Sequence, residues 1–195
     1  IWVNILKLMD LNSLLSGSIG QQIIGSVASK IGVDEGQAKT AVTSAVPMLL
    51  SALNKNAQNG NAEGIANALE KHDGSILDNL SGFLGQGGNQ QDGQGILGHI
   101  LGDKQQNVES AISQQSGLST NQVTQVLAMV APIVMGFLGK EKQAQGADSS
   151  GIQGLLGNLL GGATSGEGIN LGGFEKMLDQ DGDGKLGASD VMGML

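Results

Sequence analysis

Four aspartates near the C-terminal end of the sequence have a spacing that suits a divalent cation. The segment Asp179–Asp190 reads DQDGDGKLGASD, with carboxylates at positions one, three, five and twelve. Gly184 stands at position six, where such a loop must turn sharply, and Lys185 at position seven offers its backbone carbonyl. Calcium takes six to eight hard oxygen ligands, and this spacing wraps such oxygens around one ion. The predicted ligands are Asp179, Asp181, Asp183, Lys185 through its carbonyl, and Asp190.

This segment resembles the calcium loop of EF-hand proteins and the related loop of dockerin-type modules. Apolar residues flank it at helical spacing: Leu171, Phe174 and Leu178 before it, and Val191, Met194 and Leu195 after it. Two departures from the EF-hand pattern predict weak binding. Asp190 replaces the Glu that is usual at position twelve, which leaves magnesium as an alternative ion, and only one loop is present where EF-hands pair. We therefore predict an EF-hand-like calcium-binding segment over residues 169–195.

The composition limits the chemistry that the rest of the chain can perform. Its 195 residues include no cysteine, so a disulfide, a thiolate metal site and a cysteine nucleophile are all excluded. The formal net charge is −8, and all ten basic residues are lysines. An acidic chain without arginine is poorly suited to phosphate contacts, so we expect no nucleic-acid partner. The longest apolar run, Val126–Leu138, is too short to span a bilayer, so we expect no stable membrane insertion.

Two segments of the chain match each other without a gap. The segment that starts at Ile31 reads IGVDEGQAKTAVTSAVPMLL, and the one that starts at Ser116 reads SGLSTNQVTQVLAMVAPIVM. Matched residues are 85 positions apart, as in Pro47 with Pro132 and Gln37 with Gln122. Each copy has the pattern of a helix, a tight turn and a second helix. The sequence thus predicts an all-α fold with a duplicated helical hairpin, in copies at about 19–56 and 104–141 within a domain 1–140.

The two copies also predict the same helix starts. Gly32 fits the left-handed residue that ends a helix, and Asp34 with Gln37 forms a potential capping box for the next helix. Gly117, Ser119 and Gln122 repeat this arrangement in the second copy. The proline inside each second helix removes a backbone donor, so we expect each of these helices to bend or restart there.

Shorter elements are predicted between and after the copies. Helical patterns run from about Asn61 to His72 and from Ser75 to Leu84, and the polar, glycine-rich stretch Gly85–Gly95 predicts an exposed loop. ILGHILG, which starts at Ile96, and LLGNLLG, which starts at Leu155, suggest a further partial repeat. Residues 141–168 read as a Gly/Gln/Ser-rich linker that contains one short apolar helix.

The histidines give little support for catalysis. His72 and His99 are the only two, and His72 with Asp73 could form a base with an orienting acid. Asp73 is more simply a cap for the helix that begins at Ser75, and no further group of a catalytic set can be assembled around either histidine. We therefore predict a protein that is not an enzyme.

Several of these segments together resemble a known family. The hairpins GVDEGQ and GLSTNQ, the stretches ALEKHDGSILDNL from Ala68 and DGQGILGHILG from Asp92, and the terminal DGDGKLGASDV are similar to the bacterial YidB-like proteins of unknown function, domain of unknown function 937. The resemblance runs from about Ile19 to Leu195. It implies an all-helical fold whose hairpins are similar in shape to homeodomain helices, and it implies no known activity, cofactor or substrate.

These observations favour a non-enzymatic helical interaction or scaffold protein, with a protein partner or self-association, and one calcium or magnesium ion in its tail. One alternative is a DNA-binding protein, which would need a basic face formed by Lys30, Lys39, Lys55 and Lys71. Another is a protein that lies on a membrane surface through GILGHILG and GLLGNLLG. We expect a cytoplasmic protein, or a periplasmic or exported one if a signal sequence precedes Ile1.

Overall fold

The computed structural model describes residues 17–86 and 89–164, and these residues form helices with no strand among them. This confirms the predicted all-α class. A wide turn of π-helical type covers Ala57–Asn61, and a short 3₁₀ turn covers Gly102–Lys104. The helices are α1 Ser18–Ile31, α2 Glu35–Asn56, α3 Ala62–Lys71, α4 Ser75–Asp78, α5 Leu80–Gly85, α6 Gln90–Leu101, α7 Gln105–Ser116, α8 Thr120–Gln145 and α9 Ile152–Thr164.

Tight turns that each begin with a left-handed glycine join α1 to α2 and α7 to α8. Gly32 and Gly117 end the first helix of each pair with φ of 71° and 72°, in the left-handed region that glycine adopts without a steric penalty. The ends of α1 and α7, Ile31 and Ser116, are 85 positions apart, and the starts of α2 and α8 have the same separation. These helix boundaries therefore have the same spacing as the matched sequence segments, and a duplicated hairpin stays a prediction.

Helix α8 begins with the predicted capping box. The Ser119 hydroxyl accepts a hydrogen bond from the Gln122 backbone N–H at 3.3 Å, and the Gln122 side chain accepts one from the Ser119 N–H at 3.0 Å. The equivalent prediction for α2 was wrong, because the Asp34 side chain makes no capping hydrogen bond. Asp34 is exposed, so water can satisfy both its carboxylate and the first N–H groups of α2.

The core is built around α2 and α8, which pack against each other while α1 and α7 each contact both. Every residue from Val126 to Gly139 of α8 is buried, as are most apolar residues of α2. Pro47 and Pro132 lie inside these two helices, and neither helix restarts at its proline. A bend at each proline stays a prediction.

Two of the predicted elements differ in the structure. The helix expected over Ser75–Leu84 is divided at Asn79, whose φ of −129° and ψ of 44° are not helical, so α4 and α5 are separate. Asparagine side chains compete for backbone hydrogen bonds and so favour such breaks.

The loop expected over Gly85–Gly95 was also wrong, because α6 begins at Gln90. Burial of four apolar residues of α6 outweighs its poor intrinsic helix propensity: Ile96, Leu97, Ile100 and Leu101.

Residues 141–168, where we predicted a linker with a short apolar helix, contain the end of α8 and all of α9. Helix α9 packs against α2 and α3, and Ile152, Leu155 and Leu156 are buried in this contact region. Residues 146–151 connect the two helices. The division of the chain into domains stays a prediction.

Candidate functional site

The predicted calcium ligands lie outside the described residues: Asp179, Asp181, Asp183, Lys185 and Asp190. Within residues 17–86 and 89–164, no group of three or more histidine, aspartate or glutamate side chains is arranged to hold a metal ion. The metal site therefore stays a prediction from the sequence of the tail.

The segment around His72, which carries the candidate base and acid, serves as a helix start. The Asp73 carboxylate accepts a hydrogen bond from the Ser75 backbone N–H at 3.0 Å and so caps α4. This backbone hydrogen bond, followed by the one from the Ser75 side chain, lowers the pKa of Asp73 from its ordinary value. The carboxylate is thus engaged at the helix start, as the simpler of the two sequence interpretations predicts.

The same segment lies directly on the backbone of α8. A Cβ atom added to Gly139 would lie only 2.9 Å from both the carbonyl carbon of His72 and the carbonyl oxygen of Leu69. A Cβ atom added to Gly136 would lie 2.5 Å from Cγ2 of Ile76 in α4. Gly139 thus permits main-chain contact with the turn between α3 and α4, and Gly136 leaves space for the Ile76 side chain.

Two ion pairs join this region to the end of α8. Lys142 Nζ lies 2.9 Å from Glu70 Oε1 and also donates to the Ala66 carbonyl at 3.3 Å. Lys140 Nζ lies 3.2 Å from Asp78 Oδ1, and both of these side chains are largely exposed. An exposed pair contributes little to stability, whereas the Lys142 side chain, which is only 11% exposed, is held more firmly.

His99 lies on the exposed side of α6, as the partial repeat predicts for a polar surface position. Next to His99, the C-terminal end of α6 is hydrogen-bonded to α2. The Asn56 side-chain amide of α2 donates to the Ile100 carbonyl of α6 at 2.9 Å. His99 and the His72 segment therefore lie on different parts of the fold, one on α6 and one at the end of α3.

A shallow, open groove of about 420 Å³ lies between α1 and α5. Small, mostly uncharged residues line it, and Lys30 is the charged one among them. Such a lining suits neither acid–base chemistry nor a metal ion, since it supplies no carboxylate or imidazole. The lining residues are Gln22, Gly25, Ser26, Ser29, Lys30, Ser81, Leu84 and Gly85.

The lysines that a DNA-binding face would need are spread along the fold. Lys39 lies in the first turns of α2 and Lys55 at its last turn. They are 16 positions apart, which corresponds to roughly 24 Å along the helix axis. These two lysines therefore lie near opposite ends of α2.

Helix α8 is longer than its apolar run suggested. Its 26 residues include an 18-residue window with a mean hydropathy of 1.6, so by length and composition it could cross a membrane. Within the protein, however, 83% of that window is buried, which is typical of a core helix. The leucines of the two glycine–leucine segments are also turned inward, with Leu97, Leu155 and Leu156 all buried.

Residues 13–141 match the model of a family described as bacterial protein of unknown function (DUF937). The chain belongs to this family. The DUF937 match covers α1 to α7 and most of α8, so the resemblance that we drew from Ile19 to Leu195 is shown only as far as residue 141. Comparisons with curated proteins and with solved structures gave no match.

Proposed function

We propose that this DUF937 protein is a non-enzymatic helical interaction or scaffold protein whose tail binds one divalent cation. The observation that carries the proposal is the spacing of Asp179, Asp181, Asp183 and Asp190, with Gly184 at the turn position. Oxygen ligands at this spacing bind calcium in the loops that the segment resembles.

The interaction role is supported by the structural part that two segments of the family resemblance play in the fold. The KHDGS segment provides a helix cap through Asp73 and main-chain packing at Gly139, and the DGQGILGHILG segment forms a helix that packs on α8. These segments stabilise the helical body. The described residues thus form a packed helical body, and an interaction role would use its surface.

We further propose that α1–α2 and α7–α8 are two copies of one ancestral hairpin. Their common separation of 85 positions, the equal φ of Gly32 and Gly117, and the equivalent placement of Pro47 and Pro132 support this proposal. Duplication would provide two similar central helices that cover each other, as α2 and α8 do.

The calcium affinity should be modest. Two carboxylates about 4 Å apart repel each other by about 4 kcal/mol at an effective dielectric of 20, so an empty loop would be unfavourable in its closed form. A single loop with Asp190 at position twelve supplies fewer and shorter ligands than a paired EF-hand. We therefore expect a dissociation constant on the order of 10⁻⁵ to 10⁻³ M.

Titration calorimetry of the full chain with calcium, and separately with magnesium, tests the site. We expect saturable heat with one ion per chain, and its loss in both Asp179→Ala and Asp183→Ala. Glu175→Ala is the matched control, because Glu175 is a nearby acidic residue outside the ligand positions. Far-UV circular dichroism should show an unchanged helical body in all three variants. No heat at millimolar ion, or heat that survives both aspartate substitutions, would refute the metal site.

A further inference from the structure

The turn between α2 and α3 contains the one Asn-Gly pair of the sequence, Asn59 and Gly60. Both residues are exposed, and Gly60 has a φ of 94° and a ψ of 4°, so the main chain leaves the helical conformation there. A Cβ atom on Gly60 would meet nothing within 4 Å, which shows that the turn is open on that side. The Asn59 side-chain amide makes no hydrogen bond to any residue in the described part of the chain. Water and hydroxide therefore have access to this amide.

An asparagine that is followed by glycine can react with its own main chain. Hydroxide removes the proton of the Gly60 N–H, and the nitrogen attacks Cγ of Asn59. The new N–Cγ bond closes a cyclic imide, while the Cγ–Nδ2 bond breaks and the amide nitrogen leaves as ammonia after it takes a proton from water. Water then opens the ring at either carbonyl, which gives aspartate or isoaspartate. The reaction is intramolecular, and glycine has no Cβ to obstruct the attack, so this pair is the most reactive one that asparagine forms.

The two Asp-Gly pairs among the described residues could form the same ring, but their reacting groups are engaged. The Asp73 carboxylate accepts a hydrogen bond from the Ser75 N–H at 3.0 Å. In the pair of Asp92 with Gly93, the Gly93 N–H donates to the Asn89 carbonyl at 2.9 Å, and Gly93 is buried in α6. The reactive arrangement within residues 17–86 and 89–164 is therefore at Asn59.

We propose that Asn59 is a site of spontaneous deamidation and isoaspartate formation in the folded protein. Either product adds one carboxylate to a chain with a net charge of −8, and isoaspartate also adds a methylene group to the main chain between α2 and α3. Helix α9 is anchored at the same turn, because the Gln153 side-chain amide donates to the Ala57 carbonyl at 3.0 Å. The modification thus changes the backbone where three helices meet. It goes beyond the interaction role and does not involve the cation site in the tail.

Ageing of the full chain in mildly alkaline buffer, followed by mass spectrometry of its tryptic peptides, tests the proposal. The peptide Asn56–Lys71 contains Asn59 together with Asn61 and Asn67, which are also exposed but are each followed by alanine. These two residues are internal controls. We expect the mass gain of deamidation at Asn59 at least about tenfold faster than at either control, which corresponds to about 1.4 kcal/mol in activation free energy.

Isoaspartate distinguishes the cyclic route from direct hydrolysis, which yields aspartate alone. Labelling by an isoaspartyl methyltransferase with S-adenosylmethionine should mark the peptide Asn56–Lys71 of the aged native chain. Asn59→Gln should abolish this label, because the longer side chain closes its ring much more slowly, whereas Asn61→Gln is the matched control and should keep it. Both positions are exposed, and far-UV circular dichroism should show the same helical content in both variants.

Three results would overturn the proposal. Equal rates at Asn59, Asn61 and Asn67 would show that Gly60 gives no advantage. Formation of aspartate without isoaspartate would exclude the cyclic route. Reaction at Asn59 in urea but not in native buffer would show that the folded turn prevents the attack. None of these measurements depends on a bound ion or a partner, so failure of the proposed function would leave them unchanged.

Discussion

Replacement of Gly93 by alanine should destabilise the protein, although the same change elsewhere in α6 should stabilise it. Gly93 is buried where α6 crosses α8. A Cβ atom there would lie 2.7 Å from the carbonyl carbon and 2.9 Å from the Cα of Ala128, and closer still to the Ala128 carbonyl oxygen. Because these are main-chain atoms, no side-chain rotation can relieve the contact.

The size of the effect follows from the separation that the new methyl group forces. Non-bonded carbon atoms sit about 3.5–4.0 Å apart, so α6 and α8 would have to separate by about 1 Å. A gap of that size removes about a quarter to a half of the dispersion energy between the atoms that it separates. Overpacking of a core in this way typically costs about 1–3 kcal/mol.

Gly95→Ala is the control in the same helix. Gly95 is exposed, and a Cβ atom there would meet nothing within 4 Å, so only the higher helix propensity of alanine applies. That gain is about 0.5–1 kcal/mol and is common to both variants. The difference between their unfolding free energies therefore isolates the packing contribution of Gly93, about 1–3 kcal/mol.

Urea unfolding followed by far-UV circular dichroism measures both variants. We expect the midpoint to fall for Gly93→Ala and to rise for Gly95→Ala, with the slope unchanged in each. If the two variants were equally stable, α6 and α8 could not be in main-chain contact at Gly93.

Three further substitutions test the helix starts. Ser119→Ala removes the capping box of α8 and should lower the unfolding free energy by about 1 kcal/mol in denaturant titration, whereas Asp34→Ala should have a smaller effect because Asp34 makes no capping hydrogen bond. A larger loss for Asp34→Ala would contradict this ordering. Hydrogen bonds from Ser75 lower the pKa of folded Asp73, so its carboxylate should stabilise α4 above about pH 4 and lose this contribution as the pH falls through the lowered pKa. The stability difference between the native chain and Asp73→Asn should accordingly shrink on acidification, and a difference that grows would exclude this linkage.

Local signals in the sequence predicted the helix ends well. Gly32 and Gly117 were identified from the need for a left-handed residue after a helix, and Ser119 with Gln122 from the spacing of a capping box. The left-handed glycine and the capping box each depend on residues within a few positions of each other. The Asp34 capping box was wrong, although Asp34 and Ser119 are both exposed at helix starts, so spacing and exposure alone do not decide whether the box forms.

The errors arose where distant parts of the chain decide the local structure. The segment from Gln90 to Gly95 has the composition of a loop, but Gly93 is needed for contact with Ala128, which is 35 positions further along the chain. No local pattern carries that information. The predicted ligands such as Asp179 lie beyond the described residues, so the candidate metal site still depends on sequence spacing alone.

The pairing of α2 with α8 has a consequence for synthesis on the ribosome. Helix α2 ends at Asn56, but α8, which covers much of its apolar surface, ends at Gln145, 89 residues later. At about 5–20 residues per second, the ribosome needs roughly 4–18 s to make that length of chain. During this interval α1, which is made earlier, can cover part of α2, but the surface of α2 that α8 covers has no partner yet. The nascent chain therefore carries uncovered apolar surface on α2 until translation of α8 is complete.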